Sequence, residues 1–464
     1  MIKLALAAAV ASGGLSIVFP YLSAYYLMTL PYPQLLFCAP AVAIGIATFL
    51  RHAPVSVGFT HPLSLVLALM VAGLAWVDRS EIGRGLLITA SALCAFSIAP
   101  CISRYKASWF CIKCFILTSA LSLLFVSLMS LGDAGFGSLG RFGTLADAEG
   151  SFVTNANDFA GQMALAFALC GLGLLTGSLD ALFSRPLYLL MMFSFALAVL
   201  LSASRSGIIA LAITALAVLR YSWMTQQHVI LSAAVIASFA ATLLVLSWSS
   251  TTVSELTEKA LGRFTDDTMS TLGDRVTIWS AAPMIVSQHR AALVIGLGTG
   301  GVEKELAAVA TTQEWTSLGK DGILRLFSHN TYLEWFLSYG IVGCILALCF
   351  MVYSMRAIHI QRDRDARVLM IVLFVYFNVW SIGTVVYRSP YMIGIEAVYL
   401  TALLSPKEGC RVTSKRVSWL PGVNLAESGY VRGRMPGPGP EPHTPAPPPG
   451  TTWTLNKDAG DLAN

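Results

Sequence analysis

Charged side chains are scarce. Asp, Glu, Lys and Arg make up 12% of the 464 residues, while 56% are hydrophobic. Soluble domains carry about 25% charged residues, so the shortage, together with long uncharged runs, excludes a water-soluble globule and leaves a polytopic membrane protein. Cysteine is absent from the longest polar stretch, residues 249–328, and all nine cysteines but Cys410 lie in or beside apolar runs. That placement excludes a disulfide framework. Cys111 and Cys114 have metal-ligand spacing, but no second Cys or His pair accompanies them, and small buried thiols are the better reading. No inverted internal repeat of the kind that marks many transporters is visible. A net charge of +5 carries no sign of a nucleic-acid partner.

What is present is a series of apolar segments. Met1 to Leu30 reads as a retained first span, because the apolar run is long and no convincing cleavage site follows. Further segments fall near 34–50, 62–77, 85–101, 107–131, 157–177, 184–203, 206–220, 227–248, 330–354, 368–386 and 390–405. The expectation is an all-α polytopic membrane protein of about twelve transmembrane helices, at about 20 apolar residues per span. With a cytoplasmic N-terminus, inner loops would carry Arg51, Arg104, Lys106, Arg185, Arg220 and the cluster Arg356, Arg362, Arg364 and Arg367. Short outer loops would carry only Arg79, Arg84, Arg141, Arg205 and Arg388, which agrees with the positive-inside rule. Residues 1–405 form the transmembrane domain. Residues 406–464, with Pro436 to Pro442 and Pro445 to Gly450 of low complexity, are expected to be a disordered cytoplasmic tail.

Two connections break the hairpin rhythm, and both fall on the expected periplasmic side. One is the Gly-rich stretch from Leu131 to Ala156. The other is Ser249 to Ser328, too long for a plain link. The segment from Asp274 and Arg275 to Trp279 and beyond has helical apolar spacing, so this loop is expected to be partly helical, with Trp279 and Ile285 resting it on the membrane surface. Gly296, Gly298, Gly300 and Gly301 superficially match a dinucleotide-binding glycine pattern. They lie outside any βαβ unit, and a flexible turn is expected. Glu303, Lys304 and Glu305, with Asp266 and Asp267, read as solvated loop charge in preference to a cation site. Glu396, inside the last span, is expected to form a structural ion pair with Arg388.

Four features converge on the outer rim in this topology. Asn155 and Asn157 stand where the Gly-rich loop enters the sixth span. Ser202-Ala203-Ser204-Arg205-Ser206-Gly207 is a hairpin tight enough to hold Arg205 close to the bilayer. Arg275 lies in the long loop. Ser328-His329-Asn330 stands where that loop becomes the tenth span, with Arg388 and Arg141 as further members. A guanidinium near hydrocarbon is costly unless it meets an anion, and its planar fork suits phosphate oxygens. Several arginines with one histidine therefore point to a lipid-linked phosphate or pyrophosphate handled by one general base. Competing readings stand beside this one: snorkelling for Arg205, an ion pair with Asp274 for Arg275, and helix capping for Asn330 and for one of Asn155 and Asn157.

In order along the chain, these pieces resemble the O-antigen ligase and polymerase superfamily of bacterial polysaccharide assembly. The resemblance rests on Arg141-Phe142-Gly143 leading to Asn155-Ala156-Asn157-Asp158, on Ser204-Arg205-Ser206-Gly207, on Gly273-Asp274-Arg275 with Trp279, on His289 to Gly298, and on His329-Asn330 with Tyr332, Leu333, Gly340 and Gly343. It runs from Arg141 to Ile358. Arg290 departs from it, since the family usually has Pro there.

The resemblance implies a membrane glycosyltransferase of the bacterial inner membrane, working on the periplasmic face. Its donor would be a glycan on a polyprenyl pyrophosphate, and its acceptor a glycan or lipid A-core sugar. No cofactor, metal or nucleotide sugar would be needed. His329 would be the general base. Arg205, Arg275 and Arg388 would bind pyrophosphate. Asn157, Asn330, Tyr332 and Arg141 would orient substrates, and attack opposite the pyrophosphate would invert the anomeric centre. A repeat-unit polymerase of the same superfamily and protein glycosylation remain open. So does a transporter or flippase for lipid-linked sugars, although a transporter needs polar groups near the midplane.

Overall fold

The computed structural model describes residues 2–15, 18, 34–52, 62–104, 106–132, 142, 156–176, 185–202, 204–224, 268–312, 330–383 and 393–404. Among these residues there is no strand. Five helices are long and apolar enough to cross a membrane, and five shorter apolar helices accompany them. The segment read as a span at 227–248 and the tail 406–464 lie outside the described residues.

The helices are α1 (Ile2–Gly14), α2 (Gln34–His52), α3 (Pro62–Ala72), α4 (Ile82–Arg104), α5 (Ser108–Gly132), α6 (Ala156–Thr176), α7 (Arg185–Leu201), α8 (Arg205–Met224), α9 (Thr268–Gln288), α10 (Ala292–Ile295), α11 (Val302–Thr312), α12 (Thr331–Ile360), α13 (Arg364–Gly383) and α14 (Ile393–Leu404). α6 is the hub. From Phe159 to Thr176 it is buried throughout and, Gln162 and the terminal Thr176 apart, apolar all round, as such a pattern requires. Its small residues let neighbours approach closely, the usual basis of helix packing in membranes. A side chain at Gly161 would enter the Trp380 ring of α13, and one at Gly207 of α8 would strike Ala160. α7, α8 and α13 pack on α6, while α1 packs on α2 and α5, and α14 on α4.

α1 stops short, at Gly14, and its end is buried. Orphan helix-end carbonyls need partners there. The Gly14 carbonyl receives the Ser122 hydroxyl at 2.6 Å and the Gln162 amide at 2.6 Å.

α12 is two helices in one. Gly340 breaks it, with φ 61° and ψ −154°. The break frees carbonyls that a continuous helix would satisfy. The Leu337 carbonyl accepts from the Leu297 N–H at 2.9 Å, and the Ser338 carbonyl from the Gly298 N–H at 2.9 Å. Thr299 completes the splice: its hydroxyl donates to the Met70 carbonyl at 2.7 Å and lies 3.0 Å from the Tyr339 hydroxyl. Gly296, Gly298 and Gly300 all have positive φ, and a side chain on Gly296 or Gly298 would collide with backbone. The expected flexible turn is therefore corrected. These glycines form a fixed plug in the break of α12.

The connection before α12 has its own small core. Ile278, Ala281, Ala282 and Ile285 of α9 pack with Val302, Leu306 and Val309 of α11 and with Leu337 of α12. The helical spacing around Trp279 thus falls inside α9. Ile285 is fully buried and Trp279 partly buried against this core, so the expected membrane-surface role of that face is overturned. Apolar neighbours from α11 and α12 cover it instead of lipid.

Ion pairs close a collar around the plug. Arg84 at the start of α4 lies 2.6 Å from both Glu81 and Glu303. Lys304 pairs with Asp78 at 2.6 Å, and His289 Nε2 lies within hydrogen-bond distance, 3.0 Å, of the Glu305 carboxylate. Glu303 is 4% exposed, so it is not the solvated loop charge that the sequence led us to expect. The hydrogen bond from Lys304, together with those from the Ser80 backbone and hydroxyl, holds the Asp78 carboxyl well below its usual range.

Candidate functional site

The Ser-rich hairpin before α8 is built from its own hydroxyls. Ser202 donates to the Val199 carbonyl at 2.6 Å and accepts the Ser204 N–H at 3.3 Å. Ser204 caps α8 by accepting the Gly207 N–H at 3.2 Å, satisfying one of the orphan donors of the first turn. Its hydroxyl proton goes to Asn157 Oδ1 at 2.9 Å. Arg205 thus starts α8 on a buried turn whose cap is held by Asn157. Two of the four converging features touch through one serine. Asn157 lies within α6, one residue past its start, and bonds to another element. The capping reading fails for it.

Asn330 does cap its helix. Its Oδ1 accepts the N–H groups of Tyr332 at 3.0 Å and Leu333 at 3.1 Å. Tyr332 reaches sideways, its hydroxyl donating to Asn378 Oδ1 of α13 at 2.7 Å. Asn378 is locked in turn, its amide donating to the Phe374 carbonyl at 2.7 Å. Glu334, one turn into α12, is fully buried.

These two groups share one end of the bundle. Trp380, two residues beyond Asn378, packs on Gly161 in the first turns of α6, and Gly207 meets Ala160 there. The starts of α6, α8 and α12 and the end of α13 therefore lie together. Arg205, Asn157, Asn330 and Tyr332 are all at that end. Phe142 packs edge-on against Phe159 at 5.6 Å, so the residue following Arg141 also reaches the first turn of α6.

His329, Arg141 and Arg388 lie outside the described residues. Arg275 lies on α9, but its side chain is not among those described. His329 directly precedes the Asn330 cap. Glu396 lies on α14, but its expected partner Arg388 is outside the described residues. No group of His, Cys, Asp or Glu among the described residues could hold a metal ion.

Several residues escaped the sequence reading. Ser204 was visible in its motif, but its role as the junction of α6 and α8 depends on a tertiary contact. Asn378 carries a faint signal, a lone amide in an apolar run. Glu334 carries a stronger one, an acid placed within the run that begins at Asn330.

Fold and site together define an integral membrane protein of helical architecture, with Arg205, Asn157, Asn330 and Tyr332 at one end of the bundle. The family described as O-antigen ligase matches residues 189–348. The match covers α8 with its Ser204-Arg205 cap, the glycine plug and the first turns of α12, and it supports membership of the O-antigen ligase superfamily. Members of that superfamily are membrane glycosyltransferase-like ligases and polymerases acting on lipid-linked glycans. No curated protein matches the chain.

Proposed function

We propose that the chain is an O-antigen ligase-like glycosyltransferase. It transfers a glycan from a polyprenyl pyrophosphate to an acceptor sugar, such as a lipid A-core glycan, at the periplasmic face of the inner membrane. The observation that carries this reading is the meeting of the α6, α8 and α12 starts. It brings the Arg205 turn and the Asn330 cap to one end of the bundle. In this reading about twelve spans cross the membrane, the site end faces the periplasm, and the tail lies inside.

The chemistry is a displacement at the anomeric carbon. His329 takes the proton from the acceptor hydroxyl. The hydroxyl oxygen bonds to the anomeric carbon as the bond to pyrophosphate breaks, and the configuration inverts. Negative charge grows on the leaving polyprenyl pyrophosphate, where Arg205, Arg275 and Arg388 stabilise it. Asn157, through Ser204, fixes the turn that carries Arg205. Asn330 and Tyr332 fix the first turn after His329, and Arg141 orients substrate from the loop before α6. No step is routed through a metal or cofactor.

The test replaces the gene with His329→Ala or Arg205→Lys and reads the surface polysaccharide by gel. Loss of the long-chain ladder with carrier-linked glycan accumulating is expected of a ligase. Products of one repeat would indicate a polymerase. Arg205→Lys keeps the charge but loses the fork, so a clear defect is expected. A full ladder from His329→Ala at normal protein level would overturn the base assignment.

A further inference from the structure

The short helix α10, Ala292–Ile295, has three consecutive aliphatic side chains turned outward. Leu293, Val294 and Ile295 are 42%, 53% and 42% exposed. Ala292 beneath them is buried, and Gly296 closes the turn against the backbone of Ser338. Scattered exposed aliphatics are ordinary, but a contiguous apolar patch on a loop needs a covering. The rest of this connection has one: α9 and α11 bury their apolar faces against each other and against Leu337.

Position says what covers the patch. The Val294 carbonyl packs on Gly340 at the break of α12. Below that break, Ile341, Val342, Ile345, Leu348, Val352 and Met355 are exposed along the helix. Above it Tyr332 is the one exposed large hydrophobic side chain. The stretch from Ile341 to Ile360 is about 30 Å long at 1.5 Å per residue, the thickness of a hydrocarbon core. On α12 the outward-facing aliphatic wall thus begins at Gly340, and α10 sits at its upper edge. On the other side of the turn, Ser287, Gln288, His289 and Arg290 are all exposed. Polar and cationic groups followed at once by aliphatic ones match the layering of head groups over acyl chains.

We propose that α10 is an interfacial anchor. Leu293, Val294 and Ile295 insert among the acyl chains of the leaflet at the site end, and Arg290 meets lipid phosphates above them. The occupant is bulk phospholipid. The anchor holds the plug, and with it the upper half of α12, at a fixed depth. It depends on the membrane-spanning reading but not on the reaction.

The wild-type full-length chain suffices to test it. An apolar carbene precursor dissolved in the bilayer is photolysed with the protein in single-copy phospholipid nanodiscs, and again in densely loaded vesicles. Cleavage after Arg290 and Lys304 isolates Ala291–Lys304 for mass spectrometry. Labelling of Leu293–Ile295 is expected within about threefold of Leu348, and roughly tenfold above Ser287 and Gln288, in both preparations. Label in nanodiscs but not in dense vesicles would assign the patch to a second copy and overturn the lipid assignment. Label in neither, with Leu348 labelled, would overturn the anchor altogether. Neither result touches the glycosyl-transfer reading, because no activity is measured.

Discussion

The two halves of α12 stand in two different solvents. From Glu334 to Tyr339 the helix is enclosed by protein: Leu337 in the core of α9 and α11, Trp335 and Tyr339 against Met70 and Ile88, Glu334 fully buried. From Ile341 onward the large aliphatic side chains face outward. Composition changes across Gly340, from Thr, Glu, Ser and four aromatics with two leucines to a run dominated by Ile, Val, Leu and Cys, and what lies alongside changes with it. Hydropathy reports that a segment prefers to leave water, not whether lipid or protein receives it. The enclosed half is the one that follows His329, so the site end is built from protein contacts while the lower half supplies the anchorage.

The harshest way to break this division is Gly340→Ala. Its φ and ψ lie in a region that only glycine occupies readily, at a cost of order 1–3 kcal/mol for other residues. The new methyl carbon would also lie 2.4 Å from the Val294 backbone. Loss of most folded protein is expected, read as the monodisperse fraction after detergent extraction. Normal yield and melting temperature would mean the two halves can join without the plug.

A gentler comparison uses one chemistry in both solvents. Leu337 is 1% exposed and Leu348 61% exposed. Leu337→Ala removes atoms from a packed core and should destabilise by about 2–4 kcal/mol. Leu348→Ala leaves lipid to fill the space and should stay within about 0.5 kcal/mol. Equal melting temperatures for the two variants would erase the distinction.

The collar comes next. Arg84→Leu takes the cation from beside the buried Glu303 carboxylate. Breaking a buried pair costs about 3–5 kcal/mol, and Arg84 is 31% exposed, so about 2 kcal/mol is the expectation after discounting for solvent. Arg84→Lys should recover much of it. Protease sensitivity between α9 and α11 is the sharper readout, because it localises the loosening.

Hydropathy and charge counting were enough to find the all-helical membrane class and most helix positions. The Asn330 and Ser204-Arg205-Ser206 positions that the motifs singled out lie at one end of the bundle, and such motifs are legible because their residues stay together in the chain. The plug was not legible. Gly296 to Gly301 read as a loose turn, since nothing local reveals that Gly296 and Gly298 meet a break more than forty residues away. Ile285 was assigned to the membrane for a related reason: an amphipathic helix face looks the same whether lipid or another helix covers it. For Asn157 the sequence offered substrate orientation or, for it or Asn155, a helix cap; its bond to Ser204 was not legible because Ser204 comes from a distant stretch of the chain.

The smallest effect belongs to the outermost contact of the collar, Asp78 with Lys304. Both side chains are nearly half exposed, and salt bridges at such sites contribute little. Because the folded carboxyl is held below its usual range, its contribution is fully present above the unfolded aspartate value of about 3.9. It is lost only as the pH falls from there toward the folded value. Between pH 5 and 8 this pair should therefore give no pH dependence. Asp78→Asn should lower the melting temperature by an amount near the limit of measurement. Even that should vanish in 1 M salt, where screening acts within about 3 Å. If Asp78→Asn instead matched Arg84→Leu, the collar would be held from its exposed rim and not from the buried Glu303, and the enclosure of the upper half of α12 would rest on the wrong residues.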